Sequence, residues 1–170
     1  YRNHRNPDQR KWYAGETISL GIGQGYNSFT MLQLAQATAI LVNGGIQRKP
    51  RLVLATQSSD KNASITPPEV EPDTNLQYKP AHLEVIRRAM VSVAQVGTSA
   101  KVFAGAGYTS GGKTGTAQAV TIGQNEKYNA AKMEERQRDH SLYIAFAPAE
   151  KPTIVLAVLV ENAGFGATSD

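Results

Sequence analysis

The sequence predicts an α+β domain: helices first, then an antiparallel sheet of about three strands. Three observations carry this. Apolar positions at helical spacing fall before residue 96, and runs of alternating, β-branched character fall after residue 107. The last two of those runs are joined by Pro148-Ala149-Glu150-Lys151-Pro152, a polar connection of hairpin length. There is no β-α-β alternation and no internal repeat.

Taken in order, a polar lead gives way to a short apolar stretch over 17–22, which runs into the glycine-rich Gly21-Ile22-Gly23-Gln24-Gly25-Tyr26 and implies a turn. Ser28 or Thr30 can cap a helix through Met31, Leu32, Leu34, Ala35, Ala37, Ile40 and Leu41, which stops at Asn43-Gly44-Gly45. Its apolar residues cover much of the circumference, so burial is expected. Residues 51–56 alternate as a strand does, and 57–72, rich in Ser, Asp, Asn and Pro, read as a surface loop. From Pro80, the positions Leu83, Ile86, Ala89, Met90 and Val93 recur with helical period up to Gln95-Val96-Gly97. A strand is expected over 108–122, a charged stretch with a short exposed helix over 129–138, and strands over 141–147 and 153–160.

Bulk properties narrow the field. With 170 residues, 41% hydrophobic and 19% charged, the chain can bury one core and is not of disordered composition. The net charge of +4 comes from 18 basic and 14 acidic residues spread widely, and the basic, aromatic-interleaved pattern of a nucleic-acid binder is missing. No cysteine is present, which excludes disulfides, thiolate metal sites and a cysteine nucleophile from these residues. His4, His82 and His140 are too scattered for a metal site, so neither metal nor cofactor is expected. The longest apolar run, 154–160, is of strand length and far short of the roughly 20 residues of a membrane helix. The polar start at Tyr1 and the small polar residues at the end read as cuts through a larger protein.

The residues with most chemical content are Gly111-Gly112-Lys113-Thr114-Gly115-Thr116-Ala117-Gln118, for which two mechanisms compete. Gly107 to Thr114 match the phosphate-loop string G-x-x-x-x-G-K-[ST], whose backbone amides would cradle a nucleotide. That chemistry requires a buried strand before the loop and a helix N-terminus after it. Upstream, Lys101 to Ala106 is short and broken by glycine; downstream, Gly115, Thr116, Val120, Thr121 and Ile122 oppose a helix. Alternatively, Lys113-Thr114-Gly115 is the K-T-G element that accompanies a nucleophilic serine in penicillin-recognising enzymes. A cation and two hydroxyls on an accessible strand can hold a carboxylate, and glycine lets an acyl chain approach the backbone.

The wider context favours the second mechanism. The Gly21 to Tyr26 turn, the helix with Leu32-Gln33-Leu34-Ala35, and Gly112 to Gln118 occur in the order seen in class B high-molecular-weight penicillin-binding proteins. They are followed in that order by Glu135-Arg136-Gln137-Arg138-Asp139-His140, Ala145-Phe146-Ala147-Pro148 and Val160-Glu161-Asn162. From Trp12 to Asn162 the chain resembles that family, and within it the penicillin-binding protein 2 type. Met31 stands where the family commonly has proline, at a helix start where proline would only pre-set the first turn.

The resemblance implies the penicillin-binding transpeptidase, or serine β-lactamase-like, fold and a periplasmic peptidoglycan D,D-transpeptidase that β-lactams inhibit. It implies that residues 1–170 are the C-terminal portion of one transpeptidase domain. Lys113 would set the electrostatics around the nucleophile, and the Thr114 and Thr116 hydroxyls would bind the substrate carboxylate. Gly115 would let the chain approach, and the Thr116 N–H would form half of the oxyanion hole. The serine, the S-x-N element, a pedestal domain and an inner-membrane anchor are expected upstream, and a closing helix downstream whose absence leaves one sheet face uncovered. Implied partners are stem peptides, β-lactams, the rest of the same domain and a membrane glycosyltransferase of the elongation machinery.

Ser58-Ser59-Asp60-Lys61 fits S-x-x-K but sits in a polar loop, and Tyr1-Arg2-Asn3 mimics Y-x-N at a terminus; both are read as chance. Asp139-His140-Ser141 is not read as a triad, because neighbours on a strand point to opposite faces. These 170 residues are therefore expected to be inactive alone. A β-lactam-sensing receptor domain of the same fold is the alternative, and a phosphate-loop nucleotidase the third possibility.

Overall fold

The computed structural model describes residues 11–25, 27–60, 62–117 and 134–164, with the side chain of Glu135 excepted. Among these the architecture is α+β. Helix α1 (Ala14–Gly21) and helix α2 (Met31–Val42) come first, followed by the two-residue strands β1 (Ile46–Gln47) and β2 (Thr74–Asn75). Helix α3 (Pro80–Gln95) and the single turn α4 (Ala100–Phe103) lead into β3 (Gly111–Ala117), β4 (His140–Ala147) and β5 (Ile154–Val160). The last three form one antiparallel sheet in the order β3-β4-β5.

Local chemistry explains the two long helices. Thr30 Oγ1 accepts from the Gln33 N–H at 3.2 Å while the Gln33 side chain accepts from the Thr30 N–H at 2.9 Å, a reciprocal cap. Helix α3 has proline in its first turn, where the missing N–H costs nothing. Helix α2 lies against β4 and β5, and α3 against β3. Between helices and sheet sits a small core of Met90, Phe146 and Ala149, flanked by Leu41, Val42, Val91, Ile144 and Val155. Phe146 is its centre, at 1% exposure.

Two polar ties set the β4–β5 hairpin against the start of β3. The Ala149 N–H donates to the Thr109 carbonyl at 3.1 Å, and the Thr109 hydroxyl donates to Glu150 at 2.5 Å. From α3, the Arg87 guanidinium donates to the Ala149 carbonyl at 2.6 Å. Glu84 orients that guanidinium with bonds of 2.8 Å and also pairs with Arg88. These hydrogen bonds, Arg87's first, hold the Glu84 carboxyl down at about 2. Glu150 is likewise lowered, chiefly by its bond from Thr109.

Several sequence expectations need correction. Residues 51–56 form no strand; only Thr56 makes an isolated bridge, to Thr66, and Leu52, Val53 and Leu54 stay exposed. Alternation had no sheet edge to join, so neither face gained burial. The apolar stretch over 17–22 is largely helical: α1 starts where Glu16 accepts from the Tyr13 N–H at 2.8 Å. The β1–β2 pair is too short to leave a periodic signal in the sequence. In the charged stretch the described part holds a 3₁₀ turn, Glu135–Gln137; positions 129–133 lie outside the described residues. The expected strand over 108–122 begins at Gly111 and is described to Ala117, with 118–122 outside the described residues. On β5, Ile154, Leu156, Val158 and Val160 share one sheet face and are exposed, from 38% to 67%.

Candidate functional site

Lys113, Thr114, Gly115 and Thr116 are consecutive residues of β3, which lies at one edge of the three-stranded sheet. The register places them opposite Ile144, Tyr143, Leu142 and Ser141 of β4. Pleating therefore sends Lys113, Gly115 and Ala117 to one face and Thr114 and Thr116 to the other. Lys113 is exposed, and the other three are half-buried.

The strand has a tightly built beginning. A Cβ on Gly111 would lie 2.4 Å from the Phe146 ring and 3.1 Å from the Val91 nitrogen. One on Gly112 would lie 2.3 Å from the Tyr143 hydroxyl and 2.7 Å from the Ile144 carbonyl oxygen. Both glycines are demanded by aromatic rings lying directly on the backbone. Gly115 differs: its nearest neighbour would be the Leu142 Cβ at 3.3 Å, a contact that a few tenths of an ångström would relieve.

A groove of about 580 Å³ opens along the second half of β3, between the sheet and the chain from Leu20 to Leu34. Lys113, Thr114, Gly115 and Ala117 line it, together with His140, Leu142, Asn27 and Phe29. Its described lining holds one lysine and no carboxylate, and its walls are largely apolar, so the ammonium faces no competing acid there. Lys113 Nζ donates to the Thr114 carbonyl at 2.7 Å, which draws the side chain along its own strand. Thr116 does not line this groove: with Thr114 it belongs to the face of β3 opposite Lys113, so the ammonium and the two hydroxyls meet only along the strand edge. Thr114 meets a second hydroxyl, Thr98 Oγ1, at 3.3 Å.

The other sequence candidates separate cleanly. Lys113 is in mid-strand and antiparallel to β4, with the one-turn α4 upstream, so the phosphate-loop reading is overturned: Thr114 is followed by strand through Ala117, where that loop requires a helix N-terminus at once. Ser58 lies in an irregular exposed segment and heads no helix, while Lys61 is outside the described residues. His140 and Ser141 do diverge. His140 Nδ1 accepts from the Asn162 N–H at 3.0 Å, whereas the Ser141 hydroxyl donates to the Gly164 carbonyl at 3.1 Å. Asn162 also donates to the Arg138 carbonyl at 3.1 Å, so the Val160-Glu161-Asn162 phrase fastens the end of β5 to the approach to β4. Thr98, Ser99 and Tyr143 escaped sequence reasoning because no motif spacing connects three residues that meet only through the fold.

A strand-borne lysine, hydroxyls and glycine beside a groove, in an α+β fold, are the arrangement that the K-T-G resemblance implies. The family model described as penicillin binding protein transpeptidase domain matches residues 3–170, and the chain belongs to that family. It is 42% identical over 166 residues to the peptidoglycan D,D-transpeptidase MrdA of Haemophilus influenzae, covering 95% of this chain and 25% of that protein. A crystal structure of Pseudomonas aeruginosa PBP2 in complex with WCK 5153 superposes with a TM-score of 0.70 at 36% identity, covering 99% of this chain and 34% of that one. A complex between PBP2 and MreC from Helicobacter pylori gives a TM-score of 0.72 at 25% identity, covering 95% and 26%. The chain thus spans about a quarter of the length of the curated relative.

Proposed function

We propose that this chain is the C-terminal portion of a peptidoglycan D,D-transpeptidase domain whose nucleophilic serine and S-x-N element come from outside the 170 residues. The observation that carries the proposal is the extended Lys113-Thr114-Gly115-Thr116 segment at a sheet edge, where a ligand lying along the strand can reach side chains from both of its faces. In the reaction, a serine hydroxyl attacks the D-alanyl-D-alanine peptide bond, terminal D-alanine leaves, and an amino group of a second stem peptide takes the acyl group. Lys113 contributes positive potential beside the serine. The Thr114 and Thr116 hydroxyls hold the terminal carboxylate, and the bare Gly115 admits the acyl chain. The Thr116 N–H serves as one donor of the oxyanion hole, a type of contact worth on the order of 100-fold in rate.

The relatives support a place in an elongation assembly, since one solved neighbour is a PBP2 bound to MreC. A membrane glycosyltransferase as partner, and a site at the periplasmic face of the inner membrane, follow from the resemblance and belong to the proposal. No helix among the described residues is long and apolar enough to cross a membrane. Covalent labelling by a fluorescent penicillin tests the reading. The intact protein is expected to keep the label after denaturation, Lys113→Ala to lose about 100-fold or more in labelling rate, and the 170-residue chain alone to take none. Unchanged labelling of Lys113→Ala, or a stable adduct on the isolated chain, contradicts it.

A further inference from the structure

Thr114 does not stand alone on its side of β3. Its hydroxyl lies 3.3 Å from that of Thr98, an exposed residue in the corner between α3 and α4, and either can be the donor. A threonine hydroxyl carries one proton and two lone pairs. If Thr114 gives its proton to a ligand carboxylate, Thr98 is placed to give its own to Thr114. Two hydrogen bonds running in the same sense polarise one another, so the pair is a better carboxylate donor than Thr114 by itself.

The corner that carries Thr98 is fixed from beneath. Ser99 is 5% exposed; its hydroxyl donates to the Val93 carbonyl at 3.1 Å and accepts from the Tyr143 hydroxyl at 2.8 Å. Tyr143 stacks on Phe103 with ring centres 6.3 Å apart, and its hydroxyl occupies the space over Gly112 that a side chain would fill. Tyr143 is also the direct cross-strand neighbour of Thr114. The chain of contacts thus closes on itself: from Thr114 to Thr98, along the backbone to Ser99, across to Tyr143 and back to β3.

We propose that Thr98 is a positioning residue for the Thr114 hydroxyl, orienting its proton toward the substrate carboxylate, and that Tyr143 holds Thr98 in place through Ser99. This inference depends on the carboxylate role proposed for Thr114, and its test separates the two. The measurement is the second-order rate of acylation of the intact protein by a fluorescent penicillin and by the methyl ester of the same compound. Thr114→Val serves as the reference and is expected to slow the acid selectively.

Thr98→Val is expected to slow acylation by the acid about tenfold and to leave the ester within about twofold, and Thr98→Ser to restore the acid. Tyr143→Phe, which keeps the ring and removes only the hydroxyl, is expected to show the same selectivity at about threefold. If Thr114→Val is selective but Thr98→Val slows acid and ester alike, or slows neither, the positioning role is overturned while the carboxylate reading stands. If Thr114→Val shows no selectivity, the carboxylate role falls and the positioning role with it.

Discussion

The two halves of β3 are built to opposite specifications. At Gly111 and Gly112 the backbone is roofed by Phe146 and Tyr143 so closely that no side chain fits. From Lys113 onward the same strand offers an ammonium and hydroxyls, a groove runs beside it, and the one further glycine, Gly115, has room for a methyl group after a small shift. Identical residue types therefore do different work within five positions. The first two glycines serve packing, and the third leaves the surface bare where a ligand is proposed to lie.

Breaking the packed half gives the largest effects. Phe146→Ala empties the centre of the core and is expected to cost about 3–5 kcal/mol in a denaturation experiment on the intact protein. Gly112→Ala drives a methyl into the Tyr143 hydroxyl and the Ile144 carbonyl, and an overpacking cost of about 1–3 kcal/mol is expected. Gly115→Ala sharpens the contrast: a stability change below about 1 kcal/mol, together with a penicillin acylation rate lowered about tenfold or more. A Gly115→Ala protein as unstable as Gly112→Ala would erase the distinction between the halves.

The smallest effect concerns how the packed half is held to α3. The Glu84 carboxyl sits at about 2 instead of the usual 4.5, so the folded state favours its charged form. That contribution is complete above about pH 4.5 and is lost as the pH falls toward 2. The stability difference between wild type and Glu84→Gln is accordingly expected to stay constant above that window and to shrink within it. A difference that holds steady across the whole acid range contradicts the assignment.

How far the sequence could be read divides along similar physical lines. The capped helix after Thr30, the Pro80 helix and the strands on either side of Pro148 were legible because caps, apolar spacing and β-branched runs lie within each segment itself; the burial expected of the first helix is not found, since Thr38 is its one buried residue and Leu32 is exposed. Residues 51–56 have the alternation of a strand but no neighbouring edge, and α1, bracketed by glycines, has the composition of a turn. At the site, the motif placed Lys113, Thr114, Gly115 and Thr116 on one strand, as observed. Thr98 and Tyr143 were invisible because their meeting with Thr114 is a product of cross-strand register and of a helix corner, neither of which leaves a spacing to read. The reasons for Gly111 and Gly112 were hidden in the same way, since Phe146 and Tyr143 lie more than 30 residues downstream.

The second half of β3 is proposed to be where a carboxylate docks. A crystal structure of the intact protein acylated by a penicillin tests this most directly. The penicillin carboxylate is expected within about 3 Å of both the Thr114 and the Thr116 hydroxyl oxygens, with Thr98 still bonded to Thr114. A carboxylate bound away from β3, with those hydroxyls turned to other protein groups, would contradict it.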